Sequence, residues 1–264
     1  MIGKRIIAAD MLDVESTTGR VMSVASSSIR DQQHPMIRRL ANTIEQIWQQ
    51  RLQLSPYQMP ADLGYVEGRL EGERLVIENQ CFQTPEFRKL HLELAQVGKN
   101  LDILHCVMFP RADYPLPMFG CDLVGGRGKI SAAIVDLSPV TRHLSPAYCE
   151  ALEQLPSPDF RNIRELPEWG SIFSNHCLFI RPDSPEEEAR FCDRIAAYLD
   201  IHCQQATTTP PQSDRKAEIL AGQQRYCDHQ RQNDKTRRVL ESAFGKAWAE
   251  RYMTTVLFDL PPLP

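Results

Sequence analysis

The spacing of apolar residues changes period along the chain. Ile37, Leu40, Ile44, Ile47 and Trp48 recur three or four residues apart. This predicts a helix opened by Pro35, running to about residue 52 with one face in a core. From Tyr65 the period falls to two, and 65–70 and 75–82 read as strands joined through Glu71-Gly72-Glu73. Residues 90–94 alternate strictly, so the leucines share one face while His91 and Glu93 share the other. A further apolar strand over 101–109 contains His105, and strands over 119–124 and 129–137 flank the glycine-rich turn Gly125-Gly126-Arg127-Gly128. Successive strands with short connectors predict an antiparallel meander.

The second half turns helical. A short helix is expected over 145–155 and one more strand over 177–181. Ser184-Pro185-Glu186-Glu187 reads as a capping box with Pro at the first helical position. The helix it launches carries Phe191, Ile195, Tyr198, Leu199 and His202; 207–211 reads as a turn or linker, and 213–257 as largely helical. Residues 1–33 lack sustained periodicity and read as a loosely held tail, leaving 34–264 as a single domain. The expected class is α+β, a central antiparallel sheet flanked by helices.

Composition narrows the function classes. Of 264 residues, 42% are hydrophobic and 24% charged, which excludes a disordered or fibrous chain. Thirty Lys and Arg against 34 Asp and Glu give a net charge of −4, so no global basic field points to nucleic acid. No apolar run is long enough for a membrane span or a signal peptide; a cytoplasmic monomer is the default expectation. Eight cysteines are scattered without a CxxC pair, the pattern of reduced and mostly buried thiols. GxGxxG, GxxxxGK[ST], HExxH and GxSxG are all missing from the sequence.

The informative chemistry lies in the meander. If Leu94 pairs with Leu104, Glu93 falls directly opposite His105. Asp122, inside the apolar run Phe119-Gly120-Cys121-Asp122-Leu123-Val124, can point to the same side. Polar residues on one strand face ordinarily mark a solvated face. His105 and Asp122 resist that reading because their strands are strongly apolar, and a buried aspartate needs a special environment. Two chemistries fit equally: acid–base work on an organic ligand, or a metal site built from His91, His105 and a carboxylate. The run 231–238 sets Arg231, Lys235, Arg237 and Arg238 against the single acid Asp234. It reads either as a solvated helix end or as an anion- or partner-facing patch. Arg164 could grip a carboxylate, and Trp169 is an indole of the kind that usually sits in a core.

Longer stretches are more specific. LGYVEGRLEGERLVIENQCFQTPEFRKLHLELAQVGKNLDILHCVMFP, FGCDLVGG, SAAIVDLSP, RELPEWGSIFSNHCLFIRP and NDKTRRVLESAFGKAWAERYM resemble the ferredoxin-dependent bilin reductases, over roughly residues 35–258. The resemblance implies a three-layer α/β/α sandwich. It implies reduction of biliverdin IXα to phycocyanobilin by one-electron transfers from ferredoxin through bilin radicals, with no bound metal, flavin or other cofactor. It assigns Asp122, His105 and Glu93 to proton delivery, with Glu93 on the vinyl side and His91 in the supporting network. Arg164 matches a propionate-binding position; Asn233, Asp234 and Lys235 border the pigment, and Ser131 and Trp169 are further substrate-binding positions. The acidic ferredoxin is expected to dock on a basic face. A mononuclear metal oxygenase and a non-catalytic bilin or haem carrier are the alternatives.

Overall fold

The computed structural model describes residues 28–260. Helix α1 (Pro35–Arg51) leads into strands β1 (Ser55–Pro56), β2 (Tyr65–Leu70), β3 (Glu73–Gln83), β4 (Phe87–Val97), β5 (Leu101–Pro110), β6 (Met118–Gly126) and β7 (Lys129–Ser138). Helix α2 (Pro146–Glu153) and strand β8 (Leu178–Ile180) follow. The chain continues through α3 (Pro185–Thr208), α4 (Lys216–Gln230), α5 (Asp234–Phe244) and α6 (Lys246–Tyr252), ending in a π-helical turn, Met253–Leu257.

Among the described residues eight strands form one sheet in the order β1-β3-β4-β5-β6-β7-β8, with β2 also paired to β3. Every pairing is antiparallel, so β3 to β8 are the expected meander. Two turns of the sheet, β2–β3 and β6–β7, are two-residue hairpins with both central residues at positive φ: Glu71-Gly72 and Arg127-Gly128. That geometry matches the right-handed twist of the flanking strands.

The period-two pattern sorts the sheet into two faces. Leu90, Leu92 and Leu94 of β4, with Leu104, Cys106 and Met108 of β5, pack against Ile37, Leu40, Ile44 and Trp48 of α1 and Phe191, Ile195 and Leu199 of α3. On the opposite face Ile77, Ala95 and Val107 meet Ile219 and Tyr226 of α4, Leu240 of α5, and Ala249 and Tyr252 of α6. The result is the three-layer α/β/α sandwich. Helix α4 lies so close to the chain beyond β7 that a Cβ on Gly222 would sit 1.7 Å from the Val140 carbonyl oxygen.

Three local features depart from the sequence reading. Residues 1–27 of the expected tail lie outside the described residues, but Ser28–Gln33 are docked. Ile29–Gln32 form a 3₁₀ turn, and buried Gln33 donates through Nε2 to the carbonyls of Ala95 (2.8 Å) and Ile103 (3.2 Å). Only half of the capping box forms. Ser184 Oγ accepts from the Glu187 N–H (3.2 Å), while the Glu187 carboxylate turns outward to accept from the Arg161 (2.9 Å) and Asp183 (3.0 Å) N–H groups. It thereby ties the loop carrying Arg164 to the start of α3. Finally, β4 is bulged: Phe87 pairs with Pro110 and Lys89 with Phe109, leaving Arg88 as an extra residue. Neighbouring residues on a regular strand point to opposite faces. Here both Arg88 and Lys89 reach Asp259.

Candidate active site

The register that the sequence required is the one observed. Leu94 pairs with Leu104, which sets Glu93 opposite His105, and His105 is in turn opposite Asp122 on β6. All three side chains stand on the sheet face covered by α4 to α6 and line a cavity of about 1300 Å³. Its walls are apolar, with Leu75, Ile77, Ile103, Ile134, Leu257 and Phe258. Its rim is net cationic, with Arg161, Arg164, Arg181, Lys235 and Arg238 against Glu165, Glu168 and Asp234.

His105 Nδ1 and Asp122 Oδ1 are 2.5 Å apart. The two ends differ in exposure. The His105 side chain is 9% exposed, whereas that of Asp122 is 39% exposed and opens to the cavity instead of being buried in its apolar strand. Burial pulls the His105 pKa down, but the charge and hydrogen bond of Asp122 and the charge of Glu93 outweigh it, so the net shift is upward. Glu93 is raised because burial disfavours its carboxylate, with His105 and a hydrogen bond from Tyr252 pulling the other way. His91, fully buried two residues along β4, is held well below the usual histidine range by burial, then by Lys89 and His105. A basic imidazole therefore stands between two carboxyl groups whose surroundings differ, an arrangement suited to moving protons.

His91 does not reach the cavity; it backs the site. Its Nε2 is 2.7 Å from Asn79 Oδ1, and its ring packs edge-on to His105 with centroids 5.8 Å apart. Among the described residues no group of three His, Cys, Asp or Glu side chains is arranged to hold a metal ion.

The rim residues divide. Arg164 lines the cavity, stacks its guanidinium over Phe179 (4.9 Å) and donates to the Ser131 carbonyl (3.1 Å). Ser131 also lines the cavity, its hydroxyl donating to Val124 O (3.0 Å), as does Trp169 beside Phe173. Asn233 caps α5, accepting from the Lys235 N–H (3.2 Å), which fixes where Lys235 enters the rim. The basic run at 231–238 is less uniform than its sequence. Asp234 pairs with Arg238 (3.3 Å), Arg237 with Glu250 (2.6 Å), and Arg231 turns inward to donate to the Phe258 carbonyl (2.6 Å).

Several residues here carry no motif that sequence reading could find. Tyr252 Oη is 2.5 Å from Glu93 Oε2, and Asn79 touches both Tyr252 and His91. Buried Asp136 accepts from Ser138 Oγ (2.6 Å), Ser174 Oγ (2.5 Å) and Ser174 N (3.0 Å), pinning the segment that brings Trp169 and Phe173 to the wall. At the bulge, Lys89 is 1% exposed and pairs with Asp259 while donating to Val256 O (2.7 Å); Arg88 also holds Asp259 (2.6 Å). These bonds fasten the segment that sets Phe258 edge-on against His105, centroids 5.6 Å apart. Among the described residues no helix is long and apolar enough to cross a membrane.

The profile of the family described as ferredoxin-dependent bilin reductase matches residues 41–259. A phycocyanobilin:ferredoxin oxidoreductase of Synechococcus sp. is 64% identical over 238 residues, covering 88% of this chain and 96% of that protein. One from Trichodesmium erythraeum is 59% identical over 242 residues, covering 90% and 98% respectively. Among solved structures, tomato phytochromobilin synthase in complex with biliverdin superposes with a TM-score of 0.68 at 15% identity, covering 84% of this chain and 82% of that one, a likeness of fold. A cavity floored by paired acids and rimmed by cations, on a chain matched nearly end to end, makes this protein a member of the ferredoxin-dependent bilin reductase family, and so an oxidoreductase.

Proposed function

We propose that this chain reduces biliverdin IXα to phycocyanobilin, taking electrons singly from ferredoxin and passing through bilin radicals. The observation that carries the reading is the line Glu93–His105–Asp122 across three adjacent strands at the floor of the cavity. A bilin is a flat conjugated tetrapyrrole with two propionates. It requires an apolar slot, which Ile77, Ile103, Ile134 and Phe258 provide, and cationic anchors such as Arg164 and Lys235 at the rim.

Each electron added makes the pigment more basic and must be matched by a proton. Asp122, exposed to the cavity, is the primary donor to the pyrrole and lactam system, passing on the proton it shares with His105. His105 is its hydrogen-bonded partner and holds a proton beside it. Glu93 donates on the side of the exocyclic vinyl group. Burial raises the tendency of Glu93 to keep its proton until the pigment calls for it. Asn233, Asp234, Ser131 and Trp169 shape the rim around the pigment, and the reaction needs no resident cofactor because ferredoxin supplies the electrons.

On this reading the enzyme works as a cytoplasmic monomer, and the acidic ferredoxin docks on the basic rim, where Arg161 and Arg181 lie. Turnover should fall as salt screens that attraction. The decisive experiment is anaerobic incubation with biliverdin and reduced ferredoxin, followed by absorbance and chromatography of the pigment. Phycocyanobilin should form, and Glu93→Gln should yield a pigment with its vinyl group intact. An unchanged biliverdin spectrum would refute the proposal.

A further inference from the structure

We infer that Tyr252 is a positioning residue for proton transfer from Glu93, and that Asn79 holds Tyr252 in place while tying it to His91. The inference takes its reaction from the proposed bilin reduction; its geometry is independent of any ligand. Tyr252 is buried on α6, its ring stacked on Trp248 with centroids 4.8 Å apart and planes 12° apart. Its hydroxyl has one proton to give and lone pairs to accept with.

Asn79 decides the direction. Its Nδ2 donates to the Leu63 carbonyl (2.8 Å), which can only accept, so the amide orientation is set. The same nitrogen donates to Tyr252 Oη (2.8 Å), and Oδ1 accepts from His91 Nε2 (2.7 Å). The Tyr252 proton has two acceptors in reach, Asn79 Oδ1 (2.9 Å) and Glu93 Oε2 (2.5 Å); Asn79 Oδ1 already accepts from His91 and the same amide donates to Tyr252, so the proton goes to the nearer Glu93 oxygen. His91 is fixed as the Nε2–H tautomer by the same chain. Glu93 Oε1 makes no hydrogen bond among the described residues, and Glu93 lines the cavity. One carboxyl oxygen is therefore anchored and the other left for the substrate.

Glu93 is faced by His91 on its own strand, Asn79 and Cys81 on β3, His105 on β5, Asp122 on β6 and Tyr252 on α6. Within that set Tyr252 donates a neutral hydrogen bond directly to the carboxylate. Such a bond favours the ionised form, so its removal should shift the titration of Glu93 upward. It should also let the carboxyl group rotate away from the reacting carbon.

The test compares the wild type with Tyr252→Phe and Asn79→Ala, using Glu93→Gln to assign the Glu93 carboxyl band in infrared difference spectra. In the ligand-free protein the band should titrate at higher pH in Tyr252→Phe, and shift the same way but less in Asn79→Ala. With biliverdin and ferredoxin, vinyl reduction should slow about tenfold in Tyr252→Phe while the other reduction and pigment affinity hold. A Glu93 titration that overlays the wild type, or normal vinyl reduction in Tyr252→Phe, would overturn the assignment. A wild type inert toward biliverdin with the infrared shift intact would instead sink the bilin reading and support the hold of Tyr252 on Glu93.

Discussion

Replacing Asp122 by Asn removes an anion from the His105 ring at almost constant volume. Asp122 Oδ1 and His105 Nδ1 are 2.5 Å apart, and burial alone would leave the imidazole neutral. The carboxylate reverses this and raises the folded-state pKa of His105 above its ordinary 6.5. A histidine raised on folding contributes stability that is fully present below its unfolded pKa and disappears as pH climbs through the folded value. A charge-assisted hydrogen bond contributes about 1.5–3 kcal/mol. Because the Asp122 side chain is 39% exposed, water screens part of this and brings the expected value to just below that range, about 1–1.5 kcal/mol. Asn can still bond to a neutral ring, so the difference should shrink to a few tenths of a kcal/mol once His105 is deprotonated. Urea unfolding of ligand-free wild type and Asp122→Asn at about pH 6 and about pH 9 measures both limits, and NMR titration of the His105 ring reports its pKa directly. Equal destabilisation at the two pH values, or a His105 titration unmoved by the substitution, would refute the coupling. The same variant should also lose pigment turnover while still binding biliverdin.

Two other substitutions probe what holds the cavity together. Asp259→Asn should destabilise the fold by about 3 kcal/mol, because Lys89 is then left buried without its anion, whereas Lys89→Met should cost less since Asp259 keeps Arg88; thermal unfolding of the two variants tests that order. Gly222→Ala should lower the urea midpoint sharply, by more than about 3 kcal/mol of stability, because the new Cβ meets the Val140 carbonyl at 1.7 Å and backbone cannot swing aside.

The legible part of this protein is local. Strict alternation over Leu90-His91-Leu92-Glu93-Leu94 is enough to place His91 and Glu93 on the face opposite the leucines, because side chains on a strand alternate by construction. Register then follows from burying leucines against leucines, and it carries Glu93, His105 and Asp122 into one line. Where a local rule is broken, the pattern fails. At the bulge the chain inserts Arg88, which brings two neighbouring cations to one carboxylate, and no period announces it. The capping motif predicts a reciprocal bond, yet Glu187 accepts instead from Arg161 in the loop before β8 and from Asp183 just ahead of α3.

What the sequence by itself determined is the antiparallel meander, the helical second half and the acids and imidazoles on one sheet face. The tertiary structure alone decided how those groups are held. Tyr252 reaches Glu93 from 159 residues away, Asn79 joins both to His91, and Asp122 faces the open cavity although its strand reads as buried. The physical reason is range: strand periodicity is written in neighbours two residues apart, whereas the docking of α4 to α6 over the sheet depends on apolar burial. That burial tolerates many partners, and only the assembled packing chooses among them.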